Sequence, residues 1–268
     1  MQVNSIKNTM IVTLAVSIVC SLMVSYAAVS LKPLQDKNKV LDKKENVLRV
    51  AGLYHEGVDV EKEFKKVTPV VIDVDTGEIV TDKNIIDPEK FDPKAAVKDP
   101  KLSEPIPPEK DIADIKRRSK YTVVYMIKQD GQLKTLILPI HGLGLWSTLW
   151  GFIALEGDLN TVKGLGYYEQ AETPGLGGEV DNPKWKALWK GKQIYDENGN
   201  VKLHVIKGTV DNSKPDAKYM VDGLSGATMT SRGVSHMIAY WFGDHGYKKF
   251  LQKLKASLQQ ENQQGGAS

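Results

Sequence analysis

Asp222-Gly-Leu-Ser-Gly-Ala-Thr-Met-Thr-Ser-Arg232 gathers four hydroxyls, on Ser225, Thr228, Thr230 and Ser231, around Gly226 and Ala227, which carry almost no side-chain bulk. A run with the pattern of a helix, Val234 to Phe242, follows it. Small residues let a ligand come close to the backbone. A helix N-terminus offers unpaired N–H groups and a positive dipole end to an anion. One reading of the stretch is therefore a phosphate seat at a loop-to-helix junction, with Thr228 at its tip. The other is a hydroxyl-rich N-cap, Ser or Thr ahead of a helix, which needs no ligand. Composition alone leaves both open.

Working upstream, Tyr121-Thr-Val-Val-Tyr-Met-Ile127 and Leu133-Lys-Thr-Leu-Ile-Leu138 flank Gln129-Asp130-Gly131, a hairpin signal. Trp150 to Glu156 and Val162 to Glu169 predict further strands, and Asn182 to Trp189 a short helix opening at an Asn cap. A last hairpin is expected over Lys192 to Ile206 about Asn198-Gly199-Asn200. Met220-Val221 feeds the hydroxyl-rich stretch, and helices over Val234 to Phe242 and Tyr247 to Leu254 close the chain, separated by Gly243 and Gly246. Strands followed by helices, without alternating βαβ units, give an α+β fold of antiparallel strands with flanking helices. Gly-Leu-Gly recurs at 142–144, 164–166 and 175–177, in no case as a dinucleotide fingerprint. These repeats read either as tight turns at strand ends or as places where backbone crowds a flat ring.

With 268 residues the chain has room for one or two domains and a sizeable core. Thirty-six basic against thirty-three acidic residues leave +3, too little for a nucleic-acid surface. The single cysteine, Cys20, excludes a disulfide framework and an all-cysteine metal site. The five histidines show no metal-ligand spacing, so no metal is expected.

Met10 to Val29 is twenty residues without a charge, roughly 30 Å of helix and the thickness of a bilayer core. It reads as a retained membrane anchor; Ser25-Tyr26-Ala27 keeps a cleaved signal peptide as the rival. Lys7 on one side against Lys32, Lys37 and Lys39 on the other points, by the positive-inside rule, to a cytoplasmic C-terminal domain. From 31 to 66 apolar residues at helical spacing predict a stalk ending near Gly52. Val67 to Val80 predicts two short strands joined at Asp75-Thr76-Gly77, where turn chemistry explains Asp73 and Asp75 better than a calcium loop does. Residues 82 to 118, dense in proline and charge, read as a connector, with Lys116-Arg117-Arg118 as a solvated turn.

Asp222-x-x-Ser225-Gly226-Ala227-Thr228-x-Thr230 resembles the flavinylation motif of the FMN-binding domain family, in which the matching threonine carries FMN through a phosphoester bond. His141-Gly-Leu-Gly-Leu-Trp146-Ser, Trp146-Ser-Thr-Leu-Trp150-Gly-Phe and Glu172-Thr-Pro-Gly-Leu-Gly177 extend the likeness to the C-type subunit family of bacterial Na⁺-translocating NADH:quinone oxidoreductases. The resemblance implies covalent FMN on Thr228, with no catalytic residue. It implies flavin contacts from Asp222, Ser225, Gly226, Ala227 and Thr230, apolar surface from Trp146 and Leu176, and further contacts from Glu172, Thr173 and Gly177. It also implies a six-subunit electron-transfer complex in the bacterial inner membrane, the large domain periplasmic against the charge rule, and a flavin transferase as maturation partner. The expected division is 1–9, a membrane helix over 10–30, a stalk and Pro/charge-rich segment over 31–120, the FMN-binding domain over 121–256, and a flexible tail over 257–268. Alternatives from the same residues are a membrane-anchored flavin sensor, a G-type electron-transport subunit, an anchored module for a non-covalent anionic ligand, or a structural subunit.

Overall fold

The computed structural model describes residues 5–82, 86–88 and 91–265. They divide into two units, 1–43 and 44–268, with one helix, α1 (Ile6–Val50), running through both. In the first unit the apolar part of α1 is exposed throughout, with a mean hydropathy of 2.2 over its most apolar 18 residues. It is long and apolar enough to cross a membrane. Pro33 lies inside the helix without ending it. The end comes where the stalk reading placed it. Gly52 takes φ +73°, its N–H bonds the carbonyl of Arg49 and that of Leu53 bonds Leu48, a Schellman closure.

The second unit is built on a six-stranded antiparallel sheet in the order β2-β1-β5-β6-β7-β8. Its strands are β1 (Thr68–Asp73), β2 (Ile79–Val80), β5 (Tyr121–Gln129), β6 (Gln132–Leu143), β7 (Thr148–Glu156) and β8 (Val162–Glu169); β3 (Ser103–Pro105) and β4 (Arg117–Ser119) form a separate ribbon. Side chains alternate across the sheet, and both faces are apolar. Val123, Tyr125, Ile137, Phe152 and Ala154 face Val47, Leu48 and Val50 at the end of α1. Val124, Leu136, Leu138, Ile140 and Ile153 face the other core, under α5 (Thr228–Trp241) and α6 (Lys248–Gly265). The remaining elements are short: α2 (Val60–Phe64), α3 (Pro93–Ala96), α4 (Pro183–Ala187), and the parallel pair β9 (His204–Val205) and β10 (Met220–Val221).

Several expectations meet the structure directly. Asp130 and Gly131, with φ 53° and 75°, make the two-residue turn between β5 and β6. Asn182 caps α4, its side chain accepting from the N–H of Lys184. Asp73 holds the β1–β2 turn by accepting from the N–H groups of Asp75 and Thr76.

Others are corrected. β1 and β2, in the segment set apart as 31–120, pair into the same sheet as the strands of 121–256. Arg118 is buried, not a solvated turn: it pairs with Asp75 and Glu104 and donates to the carbonyl of His245. The hairpin over 192–206 is short. About Asn198-Gly199-Asn200 the arms join through the Tyr195–Val201 bridge, Asp196 N–H to the carbonyl of Asn200 and Lys202 N–H to that of Ile194, while the N–H groups of Ile194 and Tyr195 bond Asn160. Gly164-Leu-Gly166 is no turn. It lies inside β8, where a Cβ on Gly164 would stand 2.4 Å from the carbonyl oxygen of Val50, so bare backbone admits the end of α1. Finally, α6 continues through the expected flexible tail to Gly265, with Leu254 and Leu258 packed on the core.

Gly233 shows how tightly α5 lies on β6: a Cβ there would come 2.2 Å from the carbonyl oxygen of Leu143. In an open helix Gly→Ala gains about 1 kcal/mol. Here Gly233→Ala reverses that sign and destabilises by about 1–3 kcal/mol through overpacking, as a lower denaturation midpoint of the full chain in detergent will show. A midpoint equal to or above the parent's contradicts the packing.

Candidate functional site

α5 begins at Thr228, six residues ahead of the run that sequence periodicity marked. The β-branched threonines hide this start, since they are mediocre helix formers. Two side chains fix it. Ser231 Oγ accepts from the N–H of Leu224 at 3.1 Å, and Thr230 Oγ1 donates to Glu172 Oε2 at 2.7 Å. The loop ahead of the helix closes through Ala227 N–H to the carbonyl of Leu224 at 3.1 Å, with Gly226 at φ +70° making the bend.

The capping position falls on Ala227, and no side chain caps the first N–H groups of α5. The Ser-or-Thr N-cap is therefore not what this motif builds. Its four hydroxyls split by direction instead: Thr230 and Ser231 are buried, whereas Ser225 and Thr228 are exposed and have no hydrogen-bond partner among the described residues. An unengaged alcohol stands on an uncapped helix N-terminus.

Glu172 ties this terminus to a second loop. Only 5% exposed, its carboxylate accepts from the N–H groups of Trp146 and Ser147 at 3.0 Å, from that of Leu145 at 3.1 Å, from Ser147 Oγ at 2.9 Å, and from Thr230. Gly144 and Gly177 make room, since a Cβ on either would press on the carboxylate at 2.7 Å. Burial alone would raise the Glu172 carboxyl. The hydrogen bonds from Thr230, Trp146, Leu145 and Ser147 outweigh it and hold the carboxyl below its ordinary range.

Glu172 and Thr230 thus face inward, where their side chains tie the two loops together. Gly177 and Ala227 are buried beside them. What the clamp presents outward is apolar: Trp146 is 73% exposed, Met229 49% and Leu176 44%. Leu176 reaches the motif itself, within 2.9 Å of where a Cβ of Gly226 would lie. Thr173 is exposed in the same loop, and its carbonyl accepts from the N–H groups of Leu176 and Gly178.

Asp222 does structural work as well. Its carboxylate accepts from the N–H of Val210 at 2.8 Å, and its carbonyl accepts from Trp185 Nε1 at 2.8 Å, fixing the 206–210 segment and α4 to the motif. His141 does not reach the site surface. It stacks on Trp150 at 4.2 Å between ring centroids, and burial, aided by Lys94, pushes its pKa down to about 3. Sequence reasoning gave Ser147 no role and counted Ser231 only among the motif hydroxyls, whereas the two side chains fasten the two loops.

An exposed alcohol at a helix N-terminus, bordered by uncovered aromatic and aliphatic surface, suits a phosphorylated ligand with a flat apolar body. Residues 144–243 match the FMN-binding domain family. The second unit therefore carries an FMN-binding domain, and among the described residues one apolar helix has membrane length.

The chain is 50% identical over 256 residues to the C subunit of the Na⁺-translocating NADH-quinone reductase of Pseudomonas aeruginosa, covering 94% of this chain and 97% of that protein. To its counterpart in Neisseria meningitidis serogroup A it is 47% identical, with 95% and 96% covered. The crystal structure of Shewanella oneidensis NqrC superposes with a TM-score of 0.74 at 39% identity, over 82% of this chain and 99% of that one. The chain belongs to the NqrC family, the C subunits of Na⁺-translocating NADH-quinone reductases, and so to an oxidoreductase complex.

Because the native Glu172 carboxyl titrates below its ordinary 4.5, the clamp contributes its full stability above that value and loses it as pH falls through the depressed native pKa. Glu172→Gln brings an amide donor among five donors. It should lower stability by about 2–4 kcal/mol at neutral pH and flatten the acid limb, as urea unfolding at several pH values will show. Unchanged stability at pH 7 contradicts the clamp.

Proposed function

We propose that this protein holds FMN covalently on Thr228, through a phosphoester to Oγ1, and passes electrons between partner subunits of the reductase complex. The observation that carries the reading is the exposed, unengaged Thr228 hydroxyl at the uncapped start of α5, next to exposed Met229. Leu176 lies against Gly226, and exposed Trp146 is on the loop that Glu172 ties to the helix start. The residues fit the group: a flavin mononucleotide has one phosphate for a hydroxyl and one flat ring for apolar surface. FMN, when bound, supplies the redox chemistry.

The chain's own residues place it. Thr228 fixes the phosphate end, so the cofactor is retained at a shallow, solvent-facing site. The ester keeps one negative charge, which the α5 N-terminus stabilises by about 0.3–1 kcal/mol if solvated. Gly226 leaves space beside Leu176, and Trp146 and Leu176 cover the ring. Ser225 and Thr173 stand close enough in sequence to the anchor and the clamp to serve as its polar neighbours. Glu172 and Thr230 hold the two loops in register, so the ring keeps one orientation toward donor and acceptor. Asp222 steadies the motif and is a feature for a flavin transferase to recognise.

In this reading α1 anchors the protein in the bacterial inner membrane with the large domain on the periplasmic side, as one of six subunits. The lysines at 32, 37 and 39 oppose that side under the charge rule, which weakens when a long domain follows the span. Thr228 is a modification site and not a catalytic nucleophile.

Thr228→Ala should abolish covalent flavin while changing stability by less than about 0.5 kcal/mol, since the side chain is exposed. Production beside an active flavin transferase, followed by in-gel fluorescence and thermal unfolding, tests both. A fluorescent denatured band from the variant contradicts the assignment.

A further inference from the structure

The α5 face that begins at Thr228 has a second side. Thr228, Ser231, Arg232, Ser235 and His236, at helical spacing, line a cavity of about 270 Å³. The opposite wall is the 204–208 segment, contributing His204 and Lys207. That wall is fixed: Val205 N–H donates to Ser235 Oγ at 2.9 Å, and the N–H of Gly223 donates to the carbonyl of Gly208 at 2.8 Å. The volume is several times the roughly 30 Å³ that one water occupies, enough for a phosphate and the start of a polyol chain.

The lining carries two fixed cations and two imidazoles, and no carboxylate. Asp222, the nearest acid in sequence, is turned onto the N–H of Val210. Some lysines of the domain are paired with acids, as Lys202 is with Asp216 and Lys253 with Glu78, both at 2.9 Å. Lys207 and Arg232 have no ion pair or hydrogen bond from their side chains among the described residues. Two unpartnered cations beside an unengaged hydroxyl, in a cavity free of acids, match the charge and the forked oxygens of a phosphate diester.

We propose that this cavity is a phosphoryl subsite: Arg232 and Lys207 hold the non-bridging oxygens of the phosphate that joins FMN to Thr228. The flavin ring then lies on the other side of the first turn of α5, over Trp146 and Leu176, and the ligand straddles the helix start. The subsite rests on the phosphoester reading above.

The test uses the full chain in detergent, produced beside a flavin transferase, with ³¹P NMR of the attached flavin and the rate of flavin attachment as readouts. Arg232→Ala and Lys207→Ala should each shift the phosphoester resonance, and Lys190→Ala, an exposed cation outside the cavity, should not. The double variant should accept flavin about tenfold more slowly, as expected for losing a charge-assisted contact. If it accepts none, restoration by Arg232→Lys supports the subsite, and continued loss contradicts it. Flavin on Thr228 with a resonance unmoved by either variant overturns the subsite alone. A wild-type chain that gains no flavin, beside a control substrate that does, overturns the phosphoester reading and the subsite with it.

Discussion

A single buried carboxylate holds the site together. Glu172 sits where the β6–β7 turn, the loop after β8 and the first turn of α5 meet, and it accepts from all of the donors those segments point at it. A carboxylate out of water is costly unless fully bonded; here the bonding is what makes the charge tolerable and the loops rigid. Each of the N–H groups of 145, 146 and 147 would otherwise be left without a partner in a place half-closed to solvent, at about 1–3 kcal/mol apiece. The clamp also explains the glycines around it. Gly144 and Gly177 stand where any side chain would displace the carboxylate.

The same helix serves core and site because its faces divide by periodicity. Thr230, Gly233, Val234, Met237 and Trp241 turn inward, with Gly233 against the carbonyl of Leu143 and Trp241 Nε1 donating to the carbonyl of His141 at 2.7 Å. Thr228, Arg232 and His236 turn outward. The helix start is therefore as fixed as the sheet beneath it, while the hydroxyl at its tip stays free. For a cofactor whose task is to meet partners at set distances, this is the useful combination: a rigid foundation and an open, shallow seat.

Much of this was legible in the sequence wherever a pattern is local. The β5–β6 hairpin declares itself through Asp130-Gly131, α4 through its Asn cap, and the apolar helix through twenty uncharged residues. The Thr228 motif stood out because small and hydroxyl residues cluster there. What stayed hidden is non-local. Nothing near Arg118 shows that Asp75 and Glu104 come to it across the sheet ribbon. Gly164-Leu-Gly166 has the composition of a turn, and only the approach of Val50 reveals why bare backbone is needed inside a strand. As ligand contacts, Glu172 and Thr230 stood out only through the family resemblance; that they hydrogen-bond each other in the interior is invisible in the sequence, where 58 residues separate them.

The central claim is that Thr228, and no other hydroxyl of its motif, bears the flavin. Mapping the modified residue tests it most directly: the full chain, produced beside an active transferase, is digested with trypsin and the Tyr219–Arg232 peptide fragmented by tandem mass spectrometry. The account predicts a peptide heavier by FMN less one water, with fragment ions placing the added mass on Thr228. The added mass on Ser225, Thr230 or Ser231, or an unmodified peptide from a fluorescent protein, contradicts it.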